Sequence, residues 1–198
     1  MKVLFMASVL TACLGMSTQV LASDQTVSLG YAYSNINMGM DMGMGMEGTK
    51  NLNGVNVKYR YDWDSPLSVI SSFTYLNSNT KKSFDLGDVV NISLDIKYFS
   101  LSVGPAYRLN SWLSVYGLLG INYNKSHATS TWESITGSNR STNQNIQSTK
   151  KSLMYGAGVQ INPIDNIAID IGYEASSVNV TDKKFTTNGF NIGVGYRF

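Results

Sequence analysis

A chain of 198 residues calls for one domain, and its 15 Lys and Arg against 13 Asp and Glu, a formal net charge of +2, lack the concentrated basic excess of a nucleic-acid-binding domain. Its one cysteine, Cys13, falls in an apolar N-terminal stretch. If that stretch is removed, the remaining chain has no disulfide, no thiolate nucleophile and no thiolate metal ligand.

Residues 1–22 read as an export signal. Lys2 supplies the positive end, Val3 to Met16 is almost wholly apolar, and Val20-Leu21-Ala22 offers small residues to a peptidase. "LTAC", residues 10–13, also resembles a lipoprotein processing box, which would make Cys13 an acylated N-terminus after an unusually short leader. Residues 23–198 form the expected domain. No apolar run in it is long enough to cross a bilayer as a helix.

What it has is period-two alternation, the strand period. In the first strand Val27, Leu29, Tyr31 and Tyr33 share one face, with Ser28, Gly30 and Ala32 on the other. A polar segment of about 35–51 follows, holding Met38, Met40, Met42, Met44 and Met46 at alternate positions. The second strand sets Val55, Val57, Tyr59 and Tyr61 against Asn56, Lys58 and Arg60, and a tight "DWDSP" turn follows. The third aligns Leu67, Val69, Phe73 and Tyr75, with Ile70 on the polar side. A long connection is expected over 77–92. The fourth places Phe99, Leu101, Val103 and Tyr107 opposite Ser100, Ser102 and Arg108; "NSW" turns it into the fifth, with Leu113, Val115, Leu119, Ile121 and Tyr123 aligned. Another long connection is expected over 125–150. The sixth carries Leu153, Tyr155, Val159 and Ile161, and "PIDN" turns it into the seventh, where Ile167, Ile169, Ile171 and Tyr173 oppose Asp170 and Glu174. After a fourth long connection, 178–188, the last strand runs Phe190, Ile192, Val194, Tyr196 and Phe198 against Gly193, Gly195 and Arg197.

Eight strands with alternating short and long connections predict an all-β, eight-stranded antiparallel transmembrane β-barrel with short periplasmic turns and four long extracellular loops. Volume decides between lipid and water. The interior of an eight-stranded barrel is only just wide enough for side chains to fill, and four or five bulky apolar residues per strand cannot all enter it. The Gly, Ser, Asn and Ala face can, so the apolar face must look outward into lipid. Aromatic residues gather near both strand ends: Tyr33, Phe73, Tyr75, Phe99, Tyr123, Tyr155, Tyr173 and Phe190 on the loop side, and Tyr59, Tyr61, Tyr107, Tyr196 and Phe198 on the turn side. These are the two interfacial girdles of such a barrel.

From Gly54 onward, "GVNVKYRYDWDSPLSVISSFTY", "GPAYRLNSWLSVYGLLG", "YGAGVQINPIDNIAIDIGYE" and the ending "GVGYRF" resemble the Ail/OmpX/PagC/Lom family of small enterobacterial outer-membrane proteins. The resemblance implies residence in the outer membrane beside lipopolysaccharide. It also implies host-cell or matrix adhesion, invasion and complement resistance through the loops, with host matrix, glycan or complement-regulatory proteins as partners. Envelope integrity without a host ligand is the alternative it leaves open. Phe198 is implied to be read by the barrel-assembly machinery. The loops carry no such match, so fold transfers more closely than function.

Lys58, Arg60, Arg108, Asp170, Glu174 and Arg197 share the inward face, and tracing the strands predicts that the three arginines meet Asp170 near the turn end. An ion path or paired acid/base carboxylates would need room that so narrow a barrel lacks, which favours a hydrogen-bonded plug. The sole histidine, His127, sits beside Ser126 in a polar run, and no enzyme is expected from it. In the four loops nine Lys and Arg face six Asp and Glu. Lys81, Lys82, Lys125, Trp132, Arg140, Lys150, Lys151, Lys183 and Lys184 are the candidate contacts, either for lipopolysaccharide phosphates and sulfated glycans or as an ordinary solvated rim. The alternate methionines suit three readings: a Cu(I) site, an adaptable contact surface, or low complexity. No cofactor is expected, and the default is a monomer.

Overall fold

The structure, a computed structural model, describes residues 25–37, 49–85, 89–133, 142–180 and 183–198. Eight strands follow one another: β1 (Gln25–Asn37), β2 (Thr49–Asp62), β3 (Leu67–Asp85), β4 (Val89–Arg108), β5 (Leu113–Glu133), β6 (Thr142–Ile164), β7 (Ile167–Val180) and β8 (Lys183–Arg197). Each pairs antiparallel with the next, and β8 returns to β1 from Thr26↔Arg197 to Asn37↔Thr186, closing the barrel. Closure leaves no sheet edge within the bilayer, the condition for spanning it with strands. The chain ends are tied by reciprocal backbone bonds between Gln25 and Phe198, both 2.9 Å. At the "NSW" turn, Asn110 Oδ1 accepts the backbone N–H groups of Trp112 at 3.1 Å and Leu113 at 2.7 Å, which fixes a tight reversal.

The burial pattern is that of a soluble protein turned inside out. Leu119 is 68% exposed and Leu153 72%, whereas Lys58 and Arg60 are 2% exposed. In water each bulky apolar side chain left outside forgoes about 1.5–3 kcal/mol, so this surface is tolerable only against hydrocarbon.

That apolar surface stops at one level around the barrel. On the outward face Tyr33 gives way to Asn35, Val55 to Asn53, Tyr75 to Asn77, Phe99 to Lys97, Tyr123 to Lys125, Leu153 to Lys151 and Phe190 to Asn188, all of these polar residues being exposed. Just below the change lie cross-strand rows of rings, Tyr75-Phe99-Tyr123 and Tyr33-Phe190-Tyr173, with ring centroids 4.9 Å apart for Tyr75 and Phe99 and 5.0 Å for Tyr173 and Phe190. This is the interfacial girdle, and the switch from apolar to Asn and Lys marks where lipid ends.

Above that level the structure departs from the sequence reading. Segments 77–92, 125–150 and 178–188 were expected as long connections, yet β3 pairs with β4 to Asp85↔Val89, β5 pairs with β4 to Val89↔Glu133 and with β6 to Trp132↔Thr142, and β7 pairs with β8 to Val180↔Lys183. β3 to β6 therefore rise as a four-stranded sheet past the shorter β1, β2, β7 and β8. The run from Tyr123 to Glu133 alone is about 33 Å of strand at about 3.3 Å per residue. The alternation inverts here, because the outward face now meets water: Lys97 is exposed while Ile96 and Tyr98 point inward and are buried. Inside the upper barrel, Ala32, Ile36, Leu52, Leu76, Ile96 and Tyr98 form an apolar cluster. The lumen is thus not polar throughout, and Ile70, out of pattern in the sequence, packs inward with Ala106, Tyr116 and Leu118. The leader at 1–22 and the methionines at 38–46 lie outside the described residues.

Candidate functional site

Below the apolar cluster the lumen is filled in tiers. Nearest the turn end, Asp62 sits between two arginines. Arg60 Nε donates to Asp62 Oδ1 at 2.8 Å, and Arg60 Nη2 approaches the same oxygen at 2.7 Å, off the line of its N–H bonds and so as an ion pair. Arg108 Nη2 lies 3.2 Å from Asp62 Oδ2. Gln160 Oε1 accepts from Arg60 Nη1 at 2.7 Å, which occupies the guanidinium's remaining edge. Arg197 pairs across from Thr26, and its backbone N–H donates to Asn166 at 2.9 Å.

One tier further in, Lys58 Nζ donates to both Asp170 and Asn191, and the Tyr116 hydroxyl donates to Asp170 Oδ1 at 2.9 Å. The phenol has room because the facing residue is Gly158, where a Cβ would come within 2.3 Å of the hydroxyl. Above it Glu174 accepts from Thr74 at 2.8 Å and Ser100 at 3.1 Å, with Ser72 at 3.5 Å.

The expected meeting with Asp170 does not occur for Arg60 and Arg108. Asp170 belongs to Lys58, and Arg60 and Arg108 belong to Asp62, a residue that sequence reasoning assigned to the "DWDSP" turn. Position parity could have found it, since Asp62 continues the inward series Lys58, Arg60 on β2. Tyr116, Gln160 and Asn191 fall on the inward faces of their strands but, being uncharged, were left out of the expected network. Among the described residues no group of three or more His, Cys, Asp or Glu side chains is placed to hold a metal ion. The stacked tiers and the apolar cluster above them leave hydrogen-bonded side chains where a channel would run.

The second candidate region is the rim. Lys125 and Lys151 bring their ammonium groups to 5.4 and 5.7 Å from the Tyr123 ring centroid, a cation–π pair on one ring. Lys97, which the sequence reading missed by ending its loop at residue 92, lies directly across from Lys125 on β4. Three exposed lysines on adjacent strands thus share the outward face at the aromatic row, Lys97 and Lys125 just above it and Lys151 directly across from Tyr123. Of the other loop candidates, the backbones of Lys81 and Lys82 pair with Ser93 and Ile92, Trp132 with Val90, Lys150 with Asn124, and Lys183 and Lys184 with Val180 and Asn179. Their side chains lie outside the described residues, as does Arg140 entirely. His127 lies on β5 across from Asp95 and Gln147.

Comparison with known proteins agrees with this architecture along the full chain. The virulence membrane protein PagC of Salmonella typhimurium is 39% identical over 98% of this chain and 100% of its own length. The attachment invasion locus protein of Yersinia enterocolitica is 35% identical, with both chains covered completely. The crystal structure of Ail, the attachment invasion locus protein of Yersinia pestis, in complex with the heparin analogue sucrose octasulfate is 34% identical and superposes with a TM-score of 0.65, covering 89% of this chain and 99% of that one. The family model described as "Enterobacterial Ail/Lom protein" matches residues 1–198. An inside-out eight-stranded barrel with a filled lumen, matched over its whole length by these relatives, belongs to the enterobacterial Ail/Lom family and resides in the bacterial outer membrane.

Proposed function

We propose that this chain is a surface adhesin that engages sulfated host glycans or matrix through the raised β3–β6 sheet, and that the same extracellular segments carry invasion and complement resistance. The observation that carries the reading is the lysine rim. Lys97, Lys125 and Lys151 stand together outside the lipid boundary, whereas among the described residues Lys58 and Arg60 are paired with carboxylates within the lumen. An anionic polymer running across adjacent strands meets three cations at once, and the Yersinia pestis relative crystallised with a sulfated sugar lends the chemistry support. The lumenal tiers act as a structural plug. Residues 1–22 direct export, Phe198 serves the assembly machinery, and the barrel works as a monomer.

A second reading has its own observation. An open groove of about 620 Å³ on the outward wall is lined by Phe73, Phe99, Leu101, Ile121 and Leu153, with Tyr123 and Lys151 at its upper end. It fits an acyl chain of lipopolysaccharide with a phosphate above, the envelope role.

Replacing Lys97, Lys125 and Lys151 together with Gln separates the two. At about 1 kcal/mol per surface lysine, heparin affinity measured on nanodisc-embedded protein falls about 100-fold, and raising salt weakens the wild type toward the variant. Unchanged heparin and host-cell binding, with new sensitivity of the cells to detergent, overturns the adhesin reading in favour of the envelope one.

A further inference from the structure

The outward face of the raised sheet carries one more ionisable pair, set into the lysine rim. Strand register puts His127 on β5 directly across from Asp95 on β4 and two residues above Lys125 on the same face. Lys97 stands two residues below Asp95 and so lies diagonal to His127. On the other flank β6 places Gln147 across from His127, with Asn145 and Thr149 at the diagonals, none of them charged. Asp95 and His127 are half-buried, whereas Lys97, Lys125 and Lys151 are exposed. Over the three outward rows of β3 to β6 from Tyr123 to His127, three lysines and one histidine therefore meet a single carboxylate, that of Asp95.

Of the ordinary side chains only imidazole changes its charge between pH 5 and 8; ammonium and carboxylate groups keep theirs, and so do sulfate esters. A proton on His127 adds the one new charge this patch can gain in that range. It adds it beside Asp95, the group of the patch that repels a polyanion. Side chains directly opposite on paired strands have Cβ atoms about 4.5–5.5 Å apart, well inside the Debye length of about 8 Å at physiological ionic strength.

We infer that His127 makes the glycan-binding face acid-responsive: protonation offsets Asp95 and raises the net charge of the patch from +2 to +3, so a sulfated polymer binds more tightly as the pH falls. The inference rests on the adhesin reading above and adds its regulation. Reciprocity requires that the bound polymer in turn hold the proton on His127.

Heparin binding to tag-free protein in nanodiscs, measured at pH 7.5 and pH 5.5 at one ionic strength, tests this. With the effect of one further surface cation, wild type is expected to bind about fivefold tighter at the lower pH. His127→Gln is expected to bind alike at both pH values, and Asp95→Asn to bind about fivefold tighter than wild type at pH 7.5. The chain has a single histidine, so its imidazole NMR signal reads the same coupling without any variant: heparin is expected to raise the titration midpoint by about 0.7 pH unit, the fivefold factor seen from the other side. Equal wild-type affinity at both pH values, a His127→Gln variant that keeps the acid response, or an unmoved midpoint overturns the inference and leaves the adhesin reading standing. Absence of heparin binding at either pH overturns both.

Discussion

Replacing Asp62 with Ala lowers the stability of the barrel by about 3–5 kcal/mol, the cost of leaving buried guanidinium charge without its carboxylate. Asp62 is the shared acceptor for Arg60 at 2.8 Å and for Arg108 at 3.2 Å, and both Arg60 and Asp62 are almost fully buried. Ala keeps the strand but strands Arg60 beside Gln160 and Ser68, neutral acceptors that cannot balance its charge. Asn at the same position retains a hydrogen-bond acceptor and falls between wild type and Ala. Urea unfolding in lipid vesicles, followed by the gel-mobility shift of the folded barrel, measures all three. A double replacement, Arg60→Met with Asp62→Leu, costs much less than the sum of its parts, because removing both charges removes the desolvation penalty along with the attraction. If Asp62→Ala unfolds at the wild-type urea concentration, the lowest tier is not a desolvated ion cluster and the plug fails with it.

Replacing Val103 with Arg costs about 2–4 kcal/mol, the price of a cation at the bilayer midplane. Val103 is outward and exposed, midway along β4 between Phe99 near the loop side and Tyr107 near the turn side. The cost falls to about 0–1 kcal/mol for Leu67→Arg at the membrane edge, and Lys97→Arg is neutral because Lys97 already stands in water. A soluble barrel would show no such depth dependence along one outward face.

Strand number and the short turns were legible in the sequence because one environment, lipid, acts on one face of every strand and writes a strong period-two signal. The same reasoning failed above the girdle. There the outward face meets water, so Lys97, Thr129 and Lys151 occupy the positions that carry Leu101, Ile121 and Leu153 lower down. Without apolar contrast, hydrogen-bonded strands of Ser, Thr and Asn read as loops. Asp62 was hidden for a different reason: Asp64, Ser65 and Pro66 close by are strong turn formers, and the turn begins one residue after it. The pairing of Lys58 with Asp170 rather than an arginine depends on how far each strand is staggered around the barrel, and no local pattern encodes that. Function was the least legible part. The proposed function rests on surface segments whose composition is polar and repetitive, and two of the features the sequence singled out, the methionines at 38–46 and Arg140, lie outside the described residues.

The central claim is that lipid bathes the outward face up to one level and water bathes it beyond. Nitroxide labels placed singly at Leu29, Leu101, Val103 and Ile192, and at Asn53, Asn77, Lys97 and Lys125, test it most directly in reconstituted bilayers. The first four are expected to be quenched by oxygen and shielded from a water-soluble nickel chelate, and the second four to show the reverse. Equal access of the chelate to both sets would contradict the account.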